Sequence, residues 1–258
     1  MRIDDEQKWW NVVNHIEEYV SRAEVEIATA EALDRIKTVS AGKNAAYAWS
    51  GGKDSLVIAD LSQKAGLAKS YCIVTELEYP EYLKFMQEKK PPNCEIINAG
   101  FNLDYLARHP EMIFPKGKLF QRWYNQVQHK THARYMQKNN LDVVILGRRK
   151  IDGNICGKDG LKTNKDGRIT YSPIYDWSHE MLFAYLHYHN IELPFIYKWC
   201  RGFYNGTHIW AERKVDSVAE GYSEVWEIDP QVVIEAAKAI PSAKEFLQCK
   251  LQQRKSAN

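Results

Sequence analysis

The feature that most constrains this chain is a six-residue segment, Ser50-Gly51-Gly52-Lys53-Asp54-Ser55. The apolar run over 45–49 precedes it and is typical of a buried strand, and the residues after it have the apolar spacing of a helix. Two adjacent glycines at such a turn let the backbone approach an anion closely. The free N–H groups and the positive dipole end of the helix then point at that anion. The segment therefore predicts a phosphate-binding loop.

The side chains of this loop predict how it would hold a phosphate chain. Ser50 and Ser55 offer hydroxyl donors, and Lys53 adds a positive charge. Asp54 is a candidate ligand for Mg²⁺, but an acidic residue at this position is also typical of a helix start. A Walker loop is excluded, because Tyr47 stands where its first glycine should be and Asp54 follows the lysine.

Beyond the loop, the chain alternates between strand-like and helix-like segments. The patterns predict strands over 45–49, 69–75, 94–99, 141–146 and 169–174, and helices over 54–64, 81–90, 101–108, 119–139 and 179–190. Strands that alternate with helices imply βαβ crossovers. The expected fold is therefore α/β, with a doubly wound, mainly parallel sheet of Rossmann-like type.

Helical extensions are expected on both sides of this sheet domain. From Trp9 to Ile36 apolar residues recur at three- and four-residue intervals, which predicts one long helix or two stacked helices. The tail over 230–250 is again helical, with an interruption at Pro241. The expected division is an N-terminal helical extension over 1–40, a nucleotide-binding domain over 41–215 and a C-terminal helical extension over 216–258.

A second anion site is expected after the strand over 141–146. Gly147, Arg148 and Arg149 follow that strand at the carboxyl edge, where open α/β sheets bind their ligands. Arginine can bind phosphate or sulfate oxygens with two N–H groups at once, although such a pair on an ordinary surface is only solvated. Residues 148–170 are rich in lysine, arginine and glycine and predict a long basic loop. This loop is either a solvated segment or a lid over an anionic substrate.

Charge and cysteine content exclude several classes of protein. The 35 basic and 33 acidic residues nearly cancel, so a nucleic-acid partner is possible but not indicated, and any anion binding must be local. Cys72 and Cys94, the closest two of five cysteines, are 22 residues apart, which disfavours an iron–sulfur cluster and a disulfide scaffold. The apolar runs are too short to span a bilayer, and the first ten residues do not resemble a secretory signal. We therefore expect a cytoplasmic protein without membrane association.

These residues also carry a family resemblance. Residues 50–55 match the SGGxDS signature of the PP-loop ATP pyrophosphatases, the adenine nucleotide alpha hydrolase-like group, without departure. Within that group, residues 5–215 resemble the phosphoadenosine phosphosulfate (PAPS) reductase and ATP sulfurylase small-subunit family. A glycine-punctuated stretch over 201–208 lies in the region where the family's reductases bind their sulfonucleotide.

Two further family elements are matched in part. The segment over 74–81 resembles the family's DTGxxFPE element, with Val74 in place of Asp and Glu76 in place of Gly. Residues 147–149 resemble a G-x-R-R element from which one residue is missing. The resemblance implies that Thr75, Gly147, Arg148 and Arg149 bind nucleotide together with the loop residues Ser50, Gly51, Gly52, Lys53, Asp54 and Ser55.

The resemblance implies ATP and Mg²⁺ as cofactors and a definite reaction. The β- and γ-phosphates would lie in the loop and leave the α-phosphate open to an anionic small-molecule acceptor, which is adenylylated as pyrophosphate leaves. Lys53, Asp54 and Arg148 would be catalytic: Lys53 and Arg148, with Mg²⁺, would neutralise charge on the leaving pyrophosphate, and Asp54 would hold the Mg²⁺. This is nucleotidyltransferase chemistry of the sulfate adenylyltransferase kind.

Three alternatives remain open from the same resemblance. PAPS reduction needs a catalytic cysteine in a C-terminal ECGxH element, which the surroundings of Cys249 do not match. ATP-dependent sulfur transfer in nucleic-acid modification is the second, although such enzymes typically add cluster-binding cysteines. The third is a non-catalytic nucleotide-binding subunit, since the sulfurylase small subunit works with a GTPase. A GTPase partner and a homo-oligomer are both compatible with the sequence.

Overall fold

The centre of the molecule is a six-stranded sheet, formed within the described residues 6–207, 210 and 213–256 of the computed structural model. Its strands are β1 (Ala45–Ala48), β2 (Ser70–Val74), β3 (Cys94–Asn98), β4 (Val143–Ile145), β5 (Leu161–Thr163) and β6 (Ile169–Tyr171). They lie in the order β3-β2-β1-β4-β6-β5, and neighbouring strands are parallel except for β5 and β6. The predicted mainly parallel α/β sheet is confirmed.

Helices cover both faces of the sheet. Among the described residues they are α1 (Glu6–Asn14), α2 (Arg22–Ser40), α3 (Lys53–Lys64), α4 (Pro80–Lys89), α5 (Leu103–Arg108), α6 (Gly117–Tyr124), α7 (Lys130–Lys138), α8 (His179–Tyr188), α9 (Gly202–Asn205), α10 (Val218–Ile228), α11 (Pro230–Ala236) and α12 (Pro241–Ser256). A π-helical turn, Asn125–His129, joins α6 to α7. Helices α2, α3 and α8 pack together on one face, and α7 covers the other.

Two N-caps fix the helices that pack beside α3. The Ser21 hydroxyl accepts from the Glu24 N–H, and the Glu24 carboxylate accepts from the Ser21 N–H, which is a capping box at the start of α2. Ser178 begins α8 by accepting from the Met181 N–H. Because α2 and α8 both pack against α3, these caps help to fix the helix that follows the phosphate loop.

The terminal extensions are helical where the structure describes them. The N-terminal one contains two helices, α1 and α2, joined by a 3-10 turn over Ile16–Glu18. The C-terminal one contains α10, α11 and α12, and the last of these begins at Pro241. Residues 1–5, 257 and 258 of the predicted extensions lie outside the described residues. In the part of the chain that the structure describes, no helix is long and apolar enough to cross a membrane.

The basic segment over 148–170 differs from its prediction as a loop. Leu161–Thr163 forms β5 and pairs antiparallel with β6, with Lys162 opposite Thr170. All three residues of β5 are exposed, so this edge strand has no buried apolar side chains that would reveal it in the sequence. The segment therefore forms a hairpin, β5–β6, that extends the sheet by one strand beyond β6.

Candidate nucleotide-binding site

The strand order creates a crevice between β1 and β4. The chain runs from β1 to β2 and β3 on one side and then returns to place β4 on the other side of β1. Open α/β sheets bind ligands at the carboxyl edge of such a reversal. A Cβ on Gly147, just after β4, would lie 3.1 Å from the backbone carbon and oxygen of Asp54. A glycine at this position thus lets the turn after β4 touch the loop after β1.

The loop over 50–55 is held open by its own hydrogen bonds. The Ser55 hydroxyl donates to the Gly52 carbonyl at 2.9 Å and accepts from the Ser50 N–H at 3.1 Å. Gly51 has a φ of +67°, a conformation that favours glycine. The N–H groups of Gly51 and Gly52 form no hydrogen bond with any described residue. They are free to bind an anion at the start of α3.

A second segment lies over the loop. The Tyr197 hydroxyl accepts from the Lys53 N–H at 2.9 Å, and burial raises the pKa of this tyrosine. A Cβ on Gly52 would lie 2.8 Å from the Thr207 methyl carbon. The glycine-punctuated stretch predicted over 201–208 therefore lies at the loop, although its last residue, His208, is outside the described residues.

Buried charges stand directly behind the loop. The Lys53 ammonium lies 2.6 Å from one Asp54 carboxylate oxygen, and the Arg149 guanidinium lies 2.7 Å from the other. Burial is the largest influence on the pKa of Lys53 and lowers it, but Asp54, Tyr197 and Asp152 together raise it by more, so the net pKa is raised. Burial likewise raises the pKa of Asp54, but Lys53 and Arg149 lower it below the ordinary value. Lys53 and Asp54 are therefore both charged at neutral pH.

Arg149 is held within the protein by four hydrogen bonds and an ion pair. Its side chain is fully buried. It donates to the Asp54 carboxylate, the carbonyls of Trp177 and Ser178, and Nδ1 of His179 at 2.7–3.3 Å, and its guanidinium lies 2.9 Å from an Asp152 carboxylate oxygen. Because the side chain is buried and held by these partners, its place in the site is that of a support for Asp54.

Arg148 differs from its neighbour. It is half-buried and forms no hydrogen bond or ion pair with another described residue. It lines two cavities beside the loop, and Arg149 lines neither. Of the two predicted anion-binding arginines, the structure places Arg148 at a ligand-accessible surface and Arg149 in the interior.

Three cavities follow one another along the carboxyl edge. The loop cavity, about 390 Å³, is lined by the loop with Tyr124, Asp152, Tyr204 and Lys214. The central cavity, about 230 Å³, shares Ser50, Asp54, Ser55, Tyr124 and Gly147 with it and adds Cys72 and Arg148. The hairpin cavity, about 400 Å³, shares Tyr71, His132, Leu146 and Arg148 with the central one and adds Lys162, Lys165 and Arg168 of the β5–β6 hairpin. A ligand longer than one cavity can thus extend along this row.

Thr75 is not part of these cavity walls. It is buried, and its N–H and hydroxyl both donate to the Glu78 carboxylate at 2.8–2.9 Å. The Leu77 N–H donates to the Thr75 hydroxyl oxygen at 3.1 Å. These bonds close a turn after β2, and they use the polar groups that the family resemblance would assign to a nucleotide.

Several residues of the site come from parts of the chain that are distant from the loop. Tyr197, Asp152 and Lys214 all line the loop cavity, and Tyr197 is 144 residues from its partner Lys53. Asp152 was part of the predicted basic loop, where the cations dominated the pattern. A residue brought in by a distant part of the chain can be found only when the fold is known.

Fold, loop and cavities define a PP-loop type of nucleotide-binding α/β protein. Residues 44–203 match the model of the phosphoadenosine phosphosulfate reductase domain. Because that match covers more than half of the chain, the protein belongs to the PAPS reductase domain family, as the sequence predicted. No curated protein matches the chain.

Several solved structures are similar to this chain to different degrees. A PAPS reductase from Candida auris in a phosphate complex is similar with a TM-score of 0.52 and 15% identity, over 69% of this chain and 92% of that one. The U34-tRNA thiolase NcsA from Methanococcus maripaludis has a TM-score of 0.47 and 14% identity, over 86% and 80% of the two chains. NMN synthetase from Francisella tularensis has a TM-score of 0.45 and 14% identity, over 79% and 93%. The first of these supports the α/β fold described above.

Proposed function

We propose that the protein binds Mg-ATP at the phosphate loop, cleaves it between the α- and β-phosphates and transfers the adenylyl group to an anionic acceptor. The observation that carries this proposal is the pair of free N–H groups at Gly51 and Gly52, beside the Lys53 ammonium at the start of α3. Phosphate oxygens satisfy such donors, and the helix dipole adds to the attraction. Pyrophosphate is then the leaving group that the loop is built to hold.

The row of cavities supports separate binding sites for the pyrophosphate and the acceptor, on opposite sides of the α-phosphate. Lys53 and Lys214 line the loop cavity and would neutralise the β- and γ-phosphates. An acceptor oxygen attacks the α-phosphorus from the side of Arg148, the bond from that phosphorus to the bridging oxygen breaks, and pyrophosphate leaves on the loop side. Arg148 lies on the acceptor side, so its role would be to bind the acceptor and the α-phosphate and not the pyrophosphate.

The acidic residues near the loop fit Mg²⁺ that arrives with the nucleotide. Asp54 and Asp152 line the loop cavity, and both carboxylates are already bound by cations of the protein. The described residues contain no group of three or more acidic, histidine or cysteine side chains that would bind a metal alone. Mg²⁺ is commonly held by one or two carboxylates together with substrate phosphates, where it offsets phosphate charge.

The cysteine in the wall of the central cavity favours adenylyl transfer over thiol chemistry. Cys72 lines the central cavity, but a hydrogen bond with Cys94 and burial raise its pKa, so it remains a thiol at neutral pH. The thiolate is the reactive form of cysteine. Cys249 is exposed on α12 and lines none of the three cavities. A reductase would need a thiolate that this wall does not provide.

The test is a pyrophosphate-release assay with Mg-ATP and a panel of acceptors, namely sulfate, selenate, nucleotides and nucleic acids. Mass spectrometry identifies the adenylylated product, and a parallel reaction with PAPS and a dithiol tests for sulfite. Titration calorimetry with Mg-ATP measures binding apart from turnover. Tight binding without turnover, alone or with a GTPase, would support a nucleotide sensor; sulfite release would support a reductase. Either result would contradict adenylyl transfer.

Two variants of the same helix make the binding test specific. Lys53→Met removes the ammonium at the loop, and Lys64→Met removes one at the other end of α3, where it pairs with Asp60. We expect the first variant to lose Mg-ATP binding and the second to keep it. Equal affinity in both variants, with both folded by circular dichroism, would rule out the loop as the phosphate site.

A further inference from the structure

The hairpin cavity is not explained by ATP binding. It lies between α7 and the β5–β6 hairpin, on the far side of Arg148 from the phosphate loop. The loop and central cavities together already exceed the roughly 300 Å³ at which small-molecule sites begin. The hairpin cavity, at about 400 Å³, is large enough for a second ligand.

The rim of this cavity carries an excess of positive charge. Arg148, Lys162, Lys165 and Arg168 line it, with Asp166 as the acidic residue of its wall. Asp166 is paired with Arg168, whereas the other three cations form no ion pair with a described residue. Their charge is therefore available to an anionic ligand.

The same positive charges shift the pKa of a neighbouring histidine. His129 lines the cavity, and its pKa is lowered by burial and by the positive charges of Arg148 and Lys162. His132, on the next turn, has its pKa lowered to about 3 by burial, Arg148 and His129. Both rings are therefore neutral at pH 7 and leave the anion to the arginine and lysines.

The floor of the cavity is apolar and aromatic. Met136, Val144 and Leu146 form part of it, with the Tyr71 ring at one side. Tyr71 and His132 are joined by a hydrogen bond of 2.6 Å and an edge-on ring contact. An inorganic anion would leave this floor uncovered, whereas a nucleobase is flat and apolar on its faces and polar at its edge. Aromatic and apolar side chains are the usual support for a base, and Arg and Lys for its phosphate.

We propose that the hairpin cavity binds the acceptor of the reaction, and that this acceptor is a nucleoside phosphate, either free or at the end of a single-stranded nucleic acid. The base lies on the apolar floor, and the phosphate lies at the rim with Arg148, Lys162 and Lys165. Its phosphate oxygen attacks the α-phosphorus of ATP, a new phosphorus–oxygen bond forms, the bond from the α-phosphorus to the α,β-bridging oxygen breaks, and pyrophosphate leaves. The identity of the acceptor rests on the proposed adenylyl transfer; the binding of a nucleoside phosphate does not.

The test measures binding at the hairpin cavity while the phosphate loop is occupied. The full chain is saturated with α,β-methylene ATP, which cannot be cleaved between those phosphates, and is titrated with cytidine monophosphate, a 5′-phosphorylated trinucleotide, inorganic phosphate and sulfate. The key variant is Lys162→Ala/Lys165→Ala. The control is Lys138→Ala/Lys158→Ala, which removes the same charge from exposed positions outside the cavity wall.

We expect one molecule of cytidine monophosphate to bind each chain that is saturated with the ATP analogue. The key variant should weaken this affinity about tenfold or more, and the control variant should have the affinity of the unaltered protein. Tighter binding of the trinucleotide would identify a nucleic-acid end, and binding of the mononucleotide alone a free nucleotide. Equal binding of inorganic phosphate, no binding at all, or equal affinity in both variants would each overturn the proposal. If the ATP analogue fails to bind, the proposed function fails, and the same titrations of the free protein still decide the hairpin cavity.

Discussion

Arg148 and Arg149 are neighbours in sequence with opposite environments, and replacing each by leucine tests this difference. Arg149→Leu removes a buried cation from two carboxylates, and losing one partner of a buried ion pair costs about 3–5 kcal/mol of unfolding free energy. The carboxylates of Asp54 and Asp152 remain 22% and 21% exposed, so they regain water and the cost falls near the lower end, about 3 kcal/mol. Arg148→Leu breaks no such pair and should cost no more than about 0.5 kcal/mol.

These losses of unfolding free energy predict the changes in melting temperature. An unfolding entropy of about 2.1 cal/mol/K per residue gives about 0.5 kcal/mol/K for 258 residues. Arg149→Leu should therefore lower the Tm by about 6 °C, and Arg148→Leu by about 1 °C or less. Thermal unfolding followed by tryptophan fluorescence at pH 7 measures both. Arg149→Lys, which keeps the charge but not the five donors, should fall between them. Equal losses for the two leucine variants would refute the distinction.

Three further results are expected. Tyr197→Phe leaves the Lys53 N–H without its acceptor and should cost about 1–3 kcal/mol in urea unfolding; unchanged stability would contradict that bond. Gly52→Ala should weaken Mg-ATP binding in calorimetry because its Cβ meets the Thr207 methyl carbon, and adding Thr207→Ser should restore part of it. Burial and Arg149 lower the pKa of His179 to about 4, so stability should fall as the pH drops from about 6.5 to 4. The slope of stability against pH should be smaller in His179→Gln. Equal slopes in the variant and the unaltered protein would count against a contribution from His179.

The sheet and the phosphate loop could be predicted because their signals are local. The loop residues are contiguous, and the strand before them and the helix after them have clear periods. The turn after β4 could be placed at the same edge because parallel strands end on one side. These three features define the candidate site.

The rest of the site depends on contacts between distant parts of the chain. Arg148 and Arg149 have the same chemistry, and only the packing of α8 against the loop decides that one is buried. Thr75 matches a family element, but its polar groups bind Glu78, a carboxylate three residues later in the same turn. Lys214 reaches the loop cavity from beyond the main sheet. Each of these outcomes requires tertiary structure.

The π-helical turn between α6 and α7 makes the shape of the row of cavities depend on a residue count. Tyr124, at the end of α6, lines the loop and central cavities, and His132, on α7, lines the central and hairpin cavities. Each residue of an α-helix advances the side chains by about 100° around the axis. The π-helical turn takes up one residue more than an α-helical turn, so the same residues wound as a plain α-helix would turn His132 away from Tyr124 by about that angle. A single-codon deletion in this turn would remove the extra residue, give a plain α-helix and keep both side chains on the cavity side.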